Sequence, residues 1–180
     1  MEQLQTIIIT GLSGAGKTTA LHAVEDLGFY CVDNLPLPLL NDFIETMRAE
    51  PTVDRTALVV DSRLRHYIDG YALAYVALKN SGSVLEVVYL DASDDVLIRR
   101  FSQTRRRHPL NQDNLQEGLL AERQLLAPLR AQASTCIDTS DLTPHELKRM
   151  IQDRYRREGS GLVVSVLSFG FRYGLPTHCD

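Results

Sequence analysis

The sequence predicts an α/β domain over residues 1–157, with a parallel sheet covered by helices on both faces. Short apolar runs alternate with helix-length amphipathic segments, the rhythm of strands joined by crossover helices. The runs are rich in Val, Ile and Leu with few polar interruptions, as strands buried on both faces are. Between the first run and the first helix lies Gly11-Leu12-Ser13-Gly14-Ala15-Gly16-Lys17-Thr18, a G-x-x-x-x-G-K-[ST] loop in the strand–loop–helix setting it needs.

Each element has its own signal. Leu4–Thr10 reads as the first strand and Lys17–Leu27 as the first helix, with Leu21, Val24 and Leu27 on one face and Gly28 at C′. Phe29–Val32 is a short second strand ending at Asp33. Leu35-Pro36-Leu37-Pro38 starts a helix that runs to about Ala49 with Leu40, Phe43, Ile44 and Met47 as its apolar stripe. Thr56–Val60 is a third strand, and His66–Lys79 a helix before a turn at Gly82. Val84–Leu90 is a strongly apolar fourth strand, followed by a helix over Asp94–Gln103 capped by Ser93 or Asp94. Leu115–Ala131 is helical, with Pro128 expected to end or bend it. Ser134–Ile137 makes the fifth strand, and Pro144–Arg157 a last helix with Thr143 as N-cap and Pro144 at N1.

A chain of 180 residues with 44% hydrophobic and 23% charged content is long and apolar enough for one substantial core. Its net charge of −4 offers no whole-chain field for nucleic acid, so any such contact must be local. Met1-Glu2-Gln3 supplies no basic segment before the first apolar run, and that run is too short for a signal peptide or membrane span, so a cytoplasmic protein is expected. Cys31, Cys136 and Cys179 lack metal-ligand spacing; the first two sit in strand-like contexts that favour buried thiols.

The loop carries the chemistry. Its glycines let the backbone turn N–H groups inward as an anion nest, and the helix N-terminus behind it adds unpaired donors. Gly11, Leu12, Ser13, Gly14, Ala15, Gly16, Lys17, Thr18 and Thr19 are the expected nucleotide-binding residues, with Lys17 reaching the β- and γ-phosphates and Thr18 holding Mg²⁺. Thr56-Ala57-Leu58-Val59-Val60-Asp61 ends in the acidic residue that such a site needs for Mg²⁺, provided its strand neighbours the first. Asp33 is a second metal or substrate-side candidate, or a plain capping residue. Arg99, Arg100, Arg105, Arg106, Arg107 and His108 form a cationic run suited to closing over a triphosphate, to a solvated face, or to RNA phosphates. Asp138-Thr139-Ser140 follows the fifth strand where a nucleobase edge would lie, and nothing there separates adenine from guanine. The expected ligand is therefore ATP or GTP with Mg²⁺ on a P-loop, kinase-like sheet.

Beyond Glu158-Gly159-Ser160-Gly161, a linker-like stretch, Leu162–Phe169 reads as a strand and Gly170–Pro176 as the beginning of a second unit, so residues 158–180 are expected to start a further, truncated domain. Gly11–Thr18, Glu25–Pro36, Asp61-Ser62-Arg63, Thr104–Leu110 and Ser168–Pro176 are further distinctive stretches. Together they resemble the bacterial RapZ/YvcJ family of nucleotide-binding proteins. Ser62 departs from the apolar residue often found there. The resemblance implies a nucleotide-binding P-loop domain with slow hydrolysis of ATP or GTP, in a longer, homo-oligomeric protein whose second domain serves as adapter between a small regulatory RNA and an endoribonuclease. It gives Lys17, Thr18 and Asp61 the nucleotide and magnesium roles, and Arg105 and Arg106 the lid positions. The function expected is a regulatory triphosphatase. Its alternatives are a small-molecule kinase and a non-catalytic RNA or protein adapter.

Overall fold

The computed structural model describes residues 4–62, 84–104, 107–111 and 113–157. The strands are β1 (Gln5–Gly11), β2 (Tyr30–Asp33), β3 (Arg55–Val59), β4 (Val84–Asp91) and β5 (Thr135–Asp138). The described helices are α1 (Lys17–Glu25), α2 (Leu40–Ala49), α3 (Asp94–Thr104), α4 (Leu115–Gln132) and α5 (Pro144–Tyr155). The strands form one parallel sheet in the order β2-β3-β1-β4-β5.

Burial along β1 shows that both faces are covered. Successive strand residues point to opposite faces, and Ile7, Ile8 and Ile9 are each no more than 1% exposed. Ala57, Leu58 and Val59 of β3 repeat the pattern. α1 packs on α5 and α3 on α4. At the N-terminal edge of the sheet, Arg55 donates to the carbonyl of Tyr155 at 2.9 Å and lies 3.9 Å from the centre of the Phe29 ring, which pins the end of α5 to the start of β3.

Two helix ends carry the expected caps. Phe29 N–H donates to Val24 and Gly28 N–H to Glu25, the paired bonds of a Schellman motif with Gly28 at C′. Thr143 accepts from the Glu146 N–H while the Glu146 carboxylate accepts from the Thr143 N–H, a complete capping box behind Pro144. Strand and helix limits otherwise shift by one or two residues from the expected ones.

Three local expectations change. The segment from Leu35 does not enter a helix directly: a 3₁₀ turn over Leu37–Leu39 precedes α2. Pro36 and Pro38 both lack an N–H, and the turn closes instead through Leu39 N–H to the Pro36 carbonyl. Pro128 does not end α4, which continues to Gln132. Pro128 and Gln124 are both exposed, so the carbonyl that loses its partner faces water. Cys136 is exposed, because β5 is an edge strand among the described residues and its neighbour Ile137 takes the covered side. Cys31 is half-buried, and burial, then the nearby Glu25 charge, raise its thiol pKa to about 12. The expected helix over residues 66–79, Arg105, Arg106, Cys179 and the segment 158–180 lie outside the described residues.

Pro128→Ala should stabilise the domain by about 1–3 kcal/mol, because it restores a helical hydrogen bond at an exposed site. A higher urea midpoint would show it. An unchanged or lower midpoint would mean that the proline is accommodated without cost.

Candidate functional site

The parallel register sets where the site forms. β1 runs between β3 and β4, so the loop leaving β1 emerges beside the ends of both. Gly11 sits so close to β4 that a Cβ there would lie 2.0 Å from the Leu90 carbonyl oxygen. The loop then turns through Gly14 and Gly16, both at positive φ, into α1. A Cβ on Gly16 would lie 2.6 Å from Leu147 of α5, so this position needs glycine on two counts. Gly16 caps α1 with no side-chain bond, and the first turn has no acidic residue. The leading N–H groups of α1 therefore present a positive helix end to whatever anion lies in front of them.

The loop's donors are divided. Leu12 N–H is bonded to the Leu90 carbonyl, Ala15 N–H to the Leu12 carbonyl and Ser13 N–H to Glu122, so these three are spent within the protein. Lys17, 8% exposed, donates to the carbonyls of Gly11 and Leu12 at 2.8 and 3.0 Å, which holds its ammonium against the loop.

A cavity of about 530 Å³ opens over this loop. Ser13 to Thr19 form its floor, and Asp61, 3% exposed, enters from the end of β3. The adjoining Val60 N–H bonds the Ile9 carbonyl, keeping that strand end against β1. Lys17, Thr18 and Asp61 thus meet at one cavity. Arg107 and Pro109 line another side, and Thr139, Leu142, Thr143, Pro144 and Leu147 the far wall.

Other expected residues sit differently. Asp33 is exposed at the end of β2, separated from β1 by β3, and does not line the cavity. Asp138 is also exposed; its carboxylate accepts from the Ser140 hydroxyl and N–H, which lowers its pKa. Arg100 is a strut. Its guanidinium donates to the carbonyls of Gly14, Thr139 and Leu142 and to the Thr139 hydroxyl. Thr139, 1% exposed, bonds onward to the Ala15 carbonyl, so β5 is tied to the phosphate loop.

Residues 4–159 match the family described as the RapZ-like N-terminal domain. The chain belongs to that family. Among relatives of the RapZ-like domain, a nucleotide-binding protein of Anaeromyxobacter sp. (strain K) is 47% identical over 180 residues, covering 98% of this chain and 61% of the relative. One from Myxococcus xanthus is 48% identical over 178 residues, with 98% and 62% covered. The chain thus spans about three fifths of the length of these curated relatives. In fold it is similar to shikimate kinase from Acinetobacter baumannii (TM-score 0.55, 21% identity, 85% and 93% covered). A gluconokinase from Sinorhizobium meliloti is a second likeness (TM-score 0.53, 18% identity, 85% and 92% covered). The RapZ-like domain has a P-loop, kinase-like fold, a parallel sheet covered by helices on both faces. Among its described residues, no helix is long and apolar enough to cross a membrane.

The site residue that sequence reasoning missed is Glu122 of α4. It is fully buried, and its carboxylate accepts from Ser13, Ser62 and His108. One signal was available: Glu122 falls on the buried stripe of Leu119, Leu126 and Leu129, where an unpaired acid would be costly. Burial pushes its pKa up, but His108, the Lys17 charge, Ser62 and the Ser13 N–H outweigh this and hold it at about 2.

Glu122 lies below its ordinary value of 4.5 when folded, so its stabilisation is present above that pH and is lost as pH falls toward about 2. The stability gap between wild type and Glu122→Gln should therefore narrow through that window in urea titrations. A gap that stays constant would mean that the carboxylate is not held ionised.

Proposed function

We propose that this domain is a regulatory triphosphatase that binds ATP or GTP with Mg²⁺ and hydrolyses it slowly. The observation that carries this is the meeting of Lys17, Thr18 and Asp61 at one cavity over the open N-terminus of α1. The loop fits a phosphate chain: Gly14 and Gly16 turn it at positive φ into α1, and the helix end lacks a side-chain cap. Lys17 and the first-turn N–H groups take the phosphates. The Thr18 hydroxyl and Asp61 carboxylate hold the metal, a donor set that suits an ion keeping several waters and phosphate oxygens. When bound, Mg²⁺ supplies neutralisation of the charge on the phosphates.

The lining also favours slow turnover. Among the described residues, Asp61 is the one carboxylate in the cavity wall, and its part is metal binding. Glu122 lies behind the loop with both oxygens occupied by donors, so it is no base for water. Arg107 lines the wall and, with Arg105 and Arg106 placed by sequence alone, is assigned to charge neutralisation. The adapter role toward a small RNA and an endoribonuclease belongs to the longer protein and rests on family resemblance.

Lys17→Ala should weaken binding of both nucleotides about ten- to a hundredfold, the loss of one charged hydrogen bond, with the far-ultraviolet dichroism retained. Unchanged titration curves would sink the nucleotide assignment. Asp61→Asn should cut turnover more than it cuts metal-free nucleotide binding. A wild-type magnesium dependence in that variant would move the metal ligand elsewhere.

A further inference from the structure

We propose that Glu122 is a positioning residue that holds the phosphate loop, the metal-binding strand end and the root of the arginine-bearing segment in one fixed arrangement. This rests on the triphosphatase assignment above. Oε1 accepts from the Ser13 hydroxyl at 2.7 Å and the Ser62 hydroxyl at 2.5 Å; Oε2 accepts from the Ser13 N–H at 2.9 Å and pairs with His108 Nε2 at 3.1 Å. These contacts come from three separate stretches of chain. Ser13 belongs to the loop, Ser62 follows Asp61, and His108 lies between Arg107 and Pro109, both of which line the cavity.

The ring of His108 is oriented for this contact. Its Nδ1 accepts from the Leu110 N–H at 3.2 Å, so the ring proton sits on Nε2 and is donated to Glu122. Phe101, also in the cavity wall, packs against it with ring centres 5.4 Å apart and the ring planes tilted at 45°. Gly118, one turn before Glu122, makes the room: a Cβ there would lie 2.6 Å from His108 Nδ1. A carboxylate offers about four lone-pair sites, and all four are used here. The saturation explains why Glu122 serves geometry and takes no proton from substrate. Asp61 and Arg107 receive their placement one residue away from a group that Glu122 holds.

The test measures magnesium-dependent hydrolysis of ATP and GTP, and nucleotide affinity, in Ser62→Ala, His108→Ala, His108→Gln and Lys17→Ala. Both alanine variants of the network should lose about tenfold in turnover, as one charged hydrogen bond is removed from each. Ser62→Ala should keep its metal-free affinity within about twofold, because that hydroxyl acts on Asp61 rather than on phosphate. His108→Gln places an amide N–H near the former Nε2 and should recover most of the loss, a rescue that bulk packing would not produce. Wild-type turnover in Ser62→Ala and His108→Ala, with Lys17→Ala unable to bind, overturns the positioning role and leaves the nucleotide assignment intact. Equal defects in His108→Ala and His108→Gln also overturn it. Wild-type binding in Lys17→Ala overturns the nucleotide assignment itself.

Discussion

Parallel pairing delivers the C-terminal ends of neighbouring strands to one edge of a sheet, and the candidate site hangs from that edge. With β1 between β3 and β4, the glycine loop, Asp61 and the loop after β4 become neighbours without any direct sequence relation. Close packing makes the arrangement tight. The Gly11 backbone presses on Leu90, and Gly16 presses on Leu147, so the loop is confined by two elements before any ligand enters. The open N-terminus of α1 is then aimed into the cavity by the turn from β1 into the helix.

Glu122 shows what such confinement costs. Taking a carboxylate out of water carries a penalty of several kcal/mol unless donors replace the water. Here the replacement comes from two hydroxyls, a backbone N–H and an imidazole, with the Lys17 charge nearby. The network in turn commits the Ser13 N–H to Glu122, so that donor is spent within the protein. Arg100 and Thr139 brace the opposite side in the same manner, with a guanidinium shared among three carbonyls and a hydroxyl.

Much of the fold was legible because its causes are local. Unbroken apolar runs, the cap at Thr143 and the C′ glycine at Gly28 each act within a few residues. Misjudgements came where solvent or an edge intervened. Pro128 is tolerated because its side of α4 faces water, and Cys136 is exposed because β5 has no strand beyond it among the described residues. The arginine run looked uniform in sequence, yet of the two arginines that line the cavity Arg100 is tied to three carbonyls as a strut. Asp33 and Asp61 look alike as strand-end acids. Strand order separates them, because β3 adjoins β1 and β2 does not.

By itself, the sequence determined the phosphate loop, the residue types that serve it and the alternation that builds a two-sided sheet. Those depend on contiguous spacing along the chain, where backbone geometry and residue chemistry act directly. Tertiary structure alone decided that Glu122 joins Ser13, Ser62 and His108, partners 109, 60 and 14 residues away. No local pattern encodes such a meeting. It exists because a buried charge must find its donors wherever the packed strands and helices bring them.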